Sequence, residues 1–199
     1  MIFCEGGKGG LSFDLSVRYG IPCTLIEPRE VKLNAITRRM MKKIHERRLR
    51  EIPVSEYYKK PSMLGYNIED DFHILDIVSN SVYHNIDSLP FVHIRSEYHF
   101  KNPEKSIPKI VETIKNCGMI IGVHPDQATE DIVDAALAYK KPFAILPCCV
   151  FAELNPGRII EGRKVRTYED LISYLLSKDE SIQCFSLPFV GRNKVLYRF

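Results

Sequence analysis

The chain has 199 residues, 45% apolar and 27% charged, with a formal net charge of +3. That length can bury a full core without staples, and the composition is ordinary for a soluble globular chain. The charge is too small to imply a nucleic-acid partner by itself, no apolar run is long enough to span a bilayer, and no signal peptide is recognisable. The expectation is an intracellular chain, cytoplasmic or nuclear, with no membrane partner. Its six cysteines then read as reduced thiols, and the lack of a CxxC pair argues against a zinc ribbon, so no metal is expected.

Residues 1–4 read as a very short first strand that runs into the turn Glu5-Gly6-Gly7-Lys8-Gly9-Gly10. Leu11, Phe13, Leu15 and Val17 predict a helix over 11–19, which Gly20 stops. A second strand over 22–26 ends at Glu27-Pro28-Arg29. Ile36, Met40 and Ile44 recur at helical spacing and predict a helix over 34–50. Around that stripe lie Arg38, Arg39, Lys42, Lys43, Arg47, Arg48 and Arg50, against Glu46 alone among the acids. Residues 49–89 read as an insertion or lid within a single domain spanning 1–199, with a short helix near 72–82.

A third strand is expected over 90–95 and a helix over 107–116. Residues 119–123 form an almost wholly apolar strand, as strands covered on both faces do. The turn His124-Pro125-Asp126 leads into a helix over 127–139, with Asp126 as its expected N-cap. A fifth strand covers 143–146, and a helix over 167–176 has Thr167 as its N-cap. Two strands, 182–187 and 194–197, close the chain with only a short link between them.

Alternating strands and helices imply a parallel sheet with right-handed crossovers, whereas a short link joins antiparallel neighbours. The expected fold class is therefore α/β: a Rossmann-like class I methyltransferase with a mostly parallel seven-stranded sheet, helices on both faces and an antiparallel last strand. The glycine turn supports a nucleotide-type cofactor. Glycines let a backbone approach the ligand, and an acid on the next strand, here Glu27, can accept ribose hydroxyls. The dinucleotide fingerprint fails at Ser12, which disfavours a nicotinamide-dependent oxidoreductase, and Lys8 lacks the following Ser or Thr of a P-loop. Glu5, Gly6, Gly7, Lys8 and Gly9 fit the acid-then-glycine pattern of S-adenosylmethionine sites. Arg29, Ser96, Glu97, Val123 and His124 complete the expected cofactor wall.

The segments GGKGGLSFDL, TLIEPR, GVHPDQATEDIVDAAL, KPFAILPCCVF and GRNKVLY resemble eukaryotic methyltransferase-domain proteins with GGKGxLS, VDPR, HPDxAT and PCC motifs. More distantly, the glycine turn is similar to that of tRNA 2′-O-methyltransferases with a CCHH zinc finger. The resemblance covers residues 2–48 and 118–199. It implies S-adenosylmethionine as cofactor, with Gly6, Gly7, Lys8 and Gly9 in the cofactor turn and Glu27 where an Asp is more usual. His124 and Asp126 match the loop after the fourth strand, and Pro147, Cys148 and Cys149 the loop after the fifth. The strand acid of the resembling proteins falls where this chain has Phe3.

Methyl transfer asks little of the protein beyond in-line positioning, with a base only where the acceptor must lose a proton. His124 is the candidate base. Cys148 and Cys149 are candidate nucleophiles toward a pyrimidine, or else pocket-lining thiols. Arg38, Lys42 and Arg47 are candidate RNA contacts. The expected function is an S-adenosylmethionine-dependent methyltransferase acting on RNA. The alternative, motivated by Phe3, is a catalytically weak member serving as a binding or scaffold subunit.

Overall fold

The computed structural model describes residues 2–5, 9–19, 21–32, 35, 38–39, 42, 89–100 and 107–199. Strand β1 (Ile2–Glu5) pairs in parallel with β2 (Cys23–Ile26), Glu5 lying opposite Ile26. Between them runs α1 (Gly10–Arg18). Gly9 opens this helix in a left-handed conformation, φ 75°. A Cβ there would lie 2.8 Å from Cζ of Phe91 and 3.2 Å from side-chain atoms of Leu25 and Val31, so both the backbone and the packing require glycine. Phe13 and Val17, four residues apart, share the helix face that packs on Cys23, Leu25 and Phe91.

Strand β3 (Val92–Ile94) lies parallel to β2, and α2 (Pro108–Asn116) begins with a proline in its first turn, where no N–H partner is lost. Then come β4 (Met119–Val123), a 3-10 turn (Asp126–Ala128), α3 (Thr129–Ala138) and β5 (Phe143–Leu146). Strands β6 (Ile159–Ile160) and β7 (Arg163–Lys164) form a hairpin. Helix α4 (Tyr168–Leu176) follows, then β8 (Gln183–Ser186) and β9 (Lys194–Arg198). Thr167 caps α4 with a full capping box: its side chain accepts from the Asp170 N–H, and Asp170 accepts from the Thr167 N–H.

The main sheet has the order β3-β2-β1-β4-β5-β9-β8, with β9 antiparallel to both β5 and β8. Strand periodicity divides the core in two. Leu25 and Ile121 turn toward α1, whereas their neighbours Ile26 and Ile120 turn to the opposite face. There they meet Ile110 and Ile114 of α2, Ile132 of α3, and Leu171 and Leu175 of α4. All of these side chains except Ile121 are almost fully buried; each such burial contributes about 1.5–3 kcal/mol.

The expectation of a single seven-stranded Rossmann-like class I methyltransferase sheet needs correction. The strands of the main sheet are stubs of three to five residues. A separate two-stranded sheet, β6 with β7, stands outside it. The physical cause of the second sheet is local. Glu161 and Gly162 have φ of 50° and 76°, the two left-handed residues of a tight hairpin turn. The chain between β5 and α4, where the sequence predicts no element, thereby folds back on itself. The helix expected over 127–139 is also shorter, because a 3-10 turn takes its first residues.

The predicted helix over 34–50 is described at four positions, Ala35, Arg38, Arg39 and Lys42, all helical and exposed. Gly6, Gly7, Lys8 and Arg47 lie outside the described residues, as does nearly all of 49–89 with its expected short helix. Among the described residues no helix is long and apolar enough to cross a membrane.

Candidate functional site

The carboxyl ends of parallel strands are where an open α/β sheet gathers ligands, because the loops diverge there. In this chain the ends of β2, β3 and β4 open onto one cavity of about 490 Å³. Glu27 and Arg29 line it after β2, Glu97 and Tyr98 after β3, His124 and Asp126 after β4. Phe151 and Arg158, from the chain beyond β5, close another side.

Glu27 follows the fully buried strand β2 directly and is itself only 3% exposed. Among the described residues its carboxylate is held by Arg29 alone. Arg29 donates from its backbone N–H (3.0 Å) and Nε (2.6 Å) to Oε1, and from a guanidinium nitrogen to Oε2 (2.9 Å). A carboxylate offers about four acceptor positions, so Oε2 retains capacity for a further donor. Burial would raise the Glu27 carboxyl, but the Arg29 hydrogen bonds outweigh it and hold the group below its ordinary range. Arg29 in turn is pushed up, first by Glu27 and also by the charge of Asp126. Its side chain is 71% exposed, which makes it a movable partner.

Five non-glycine described residues have positive φ: His124, Asp126, Lys140, Phe151 and Glu161. Lys140 directly follows the end of α3 and Glu161 sits in the hairpin turn, both places where such backbone is routine. The other three all line the cavity. Each costs on the order of 1–3 kcal/mol, and such strain collects at functional sites. His124 is anchored at its backbone, which donates to the Leu146 carbonyl at 3.1 Å, while its side chain is exposed.

Asp126 does not cap the helix that follows it, contrary to expectation. The first residues of α3 have no side-chain cap. Asp126 Oδ1 instead accepts from Cys148 Sγ at 3.2 Å, and its carbonyl accepts from Thr129 Oγ1 at 2.8 Å. Cys148 Sγ lies 3.4 Å from Cys149 Sγ. Burial first, then the bonds to Asp126 and Cys149, push the Cys148 thiol up to about 12. A nucleophilic thiol must be ionised, so Cys148 is protonated at neutral pH and unsuited to attack a base.

The structure brings Glu27, Arg29, Glu97 and His124 of the expected site together on one wall. Ser96 and Val123 are adjacent in sequence to that wall but do not line it; the Ser96 hydroxyl is turned to the Glu97 carbonyl. Glu5 ends β1 in register with Ile26 and Gly122, at the same edge of the sheet. Gly9 sets the start of α1, and Ser12 in its first turn buries a hydroxyl that has no hydrogen-bond partner among the described residues.

Sequence reasoning missed Tyr98, Glu130, Phe151 and Arg158. Glu130 and Arg158 line the cavity and pair through Arg158 Nε at 2.6 Å, each side chain 4% exposed. Twenty-eight residues separate them, and no local pattern joins residues so far apart. Compared with protein-family models, with curated proteins and with solved structures, the chain matches none.

Proposed function

We propose that this chain is an S-adenosylmethionine-dependent methyltransferase acting on RNA. The observation that carries the reading is the Glu27 carboxylate, buried yet on the cavity wall immediately after β2, with acceptor capacity left on Oε2. The residues present fit such a cofactor. The cavity lies within the range of about 300–1,000 Å³ usual for small-molecule sites. Ser12 supplies a buried hydroxyl at the start of α1, beside the glycine turn, with no hydrogen-bond partner among the described residues.

S-adenosylmethionine supplies a methyl group already activated on a sulfonium. The protein's share is binding and orientation. Glu27 would accept hydrogen bonds from the ribose hydroxyls, and Glu97 and Tyr98, which line the cavity after β3, would hold the base. His124, exposed on the wall after β4, would take a proton from the acceptor. Arg38, Arg39 and Lys42, exposed on one helical stretch, supply a basic surface for an RNA acceptor.

The test is transfer of labelled methyl from S-adenosylmethionine into RNA by the purified chain. Incorporation that falls at least about 100-fold in Glu27→Ala supports the reading, as loss of a binding contact of about 2.7 kcal/mol would do. Cofactor binding without transfer to any RNA would redirect the acceptor. Neither binding nor transfer would favour a scaffold subunit.

A further inference from the structure

Asp126 and the pair Cys148-Cys149 come from loops after adjacent parallel strands. Val123 and Leu146 end β4 and β5 in register, so the residues just beyond them are brought side by side. One ligand atom from each of the three residues, the two Sγ atoms and a carboxylate oxygen, lies within 4.8 Å of the others. The two neighbouring thiols beyond β5 lie 3.4 Å apart, both turned to the side on which Asp126 stands. Asp126 reaches them from a left-handed backbone, φ 49°, that an aspartate adopts only at a cost. None of these three residues anchors the core: Asp126 is exposed and both cysteines are half-buried.

We propose that Asp126, Cys148 and Cys149 form a binding site for a thiophilic divalent cation, zinc by preference. Tetrahedral zinc with Zn–S of ~2.3 Å and Zn–O of ~2.0–2.2 Å sets an S···S edge of ~3.8 Å and an S···O edge of ~3.6 Å. Two of the three edges here are 3.4 and 3.2 Å and need to open by only a few tenths of an ångström, and the third, from Cys149 to Asp126, is within 4.8 Å. Two thiolates and one carboxylate are a ligand set suited to zinc and poor for magnesium or calcium. Binding releases the two thiol protons to solvent, leaving two Zn–S bonds and one Zn–O bond. Three protein ligands leave the fourth position to water or an incoming ligand. Because Asp126 also lines the cavity, the ion would stand at its rim.

The site does not depend on the methyl-transfer reading, and its test contains no S-adenosylmethionine. Full-length chain, reduced and stripped with chelator, is titrated with zinc against a chromophoric competitor and separately with cobalt. The expected result is one ion per chain, with thiolate-to-cobalt charge-transfer absorption. Cys148→Ser and Cys149→Ser should each weaken zinc at least about 100-fold and Asp126→Asn about 10-fold, while Cys184→Ser changes nothing. Circular dichroism checks that each variant is folded. Should a cysteine variant fail to fold, the cobalt spectrum of the unaltered chain decides. Absence of thiolate bands, zinc binding no tighter than millimolar, or affinity unchanged in the folded cysteine variants would overturn the site.

Discussion

Two carboxylates on this cavity wall are equally buried, Glu27 and Glu130 at 3% exposure each, yet they are held in opposite ways. Glu130 takes Arg158 at 2.6 Å, Tyr174 at 2.7 Å and Lys178 at 2.9 Å, partners that lie 28 to 48 residues away and are themselves well covered. Lys178 also reaches Asp134 at 2.7 Å, so α3 is tied to the chain after β5 and to α4. Among the described residues, the Glu27 carboxylate takes its hydrogen bonds from Arg29, two residues on and mostly in solvent. The first carboxylate is a cross-strut whose partners cannot leave without breaking the core. The second has a local, displaceable partner, which is the condition under which an incoming ligand can address it.

The contrast breaks if both carboxylates respond alike to losing their arginine. Arg158→Ala leaves the Glu130 charge buried with its nearest counter-charge gone, so a stability loss of about 3–5 kcal/mol is expected in urea denaturation. Arg29→Ala should cost less than Arg158→Ala, about 1–3 kcal/mol: the guanidinium that is lost is largely hydrated, but the buried Glu27 carboxylate loses its partner. The Glu27–Arg29 pair also carries a pH signature. The Glu27 carboxyl is depressed in the folded chain from its ordinary 4.5. Its contribution is therefore present above pH 4.5 and lost as pH falls through the lower folded value. Denaturation midpoints followed downward through that window should fall less steeply in Arg29→Ala than in the unaltered chain. Equal slopes would mean that the pair does not couple to folding.

The order of elements was legible in the chain because each signal is local. Residues 22–26 read as a strand, and Cys23–Ile26 proves to be one that is buried throughout. Thr167 announces a helix start and carries the capping box. Glu27, a strand-end acid that needs no distant partner to be noticed, does line the cavity. The hairpin at 159–164 was missed although Glu161-Gly162 is a turn signal of the kind that favours left-handed backbone. Its strands are only two residues each, too short for any periodicity to show. Asp126 was misread as a cap because an Asp ahead of a helix caps by default. Only the pairing of β4 with β5 brings Cys148 close enough to claim its carboxylate. The Glu130–Arg158 pair is likewise a product of tertiary structure, invisible until α3 and the chain after β5 are packed together.

The most direct measurement is calorimetric titration of S-adenosylmethionine into the unaltered chain and into Glu27→Ala. Micromolar binding by the first, weakened at least about 100-fold in a still-folded variant, is the predicted result, a difference of about 2.7 kcal/mol. No binding at millimolar cofactor, or equal affinity in the two proteins, would contradict the assignment of this cavity.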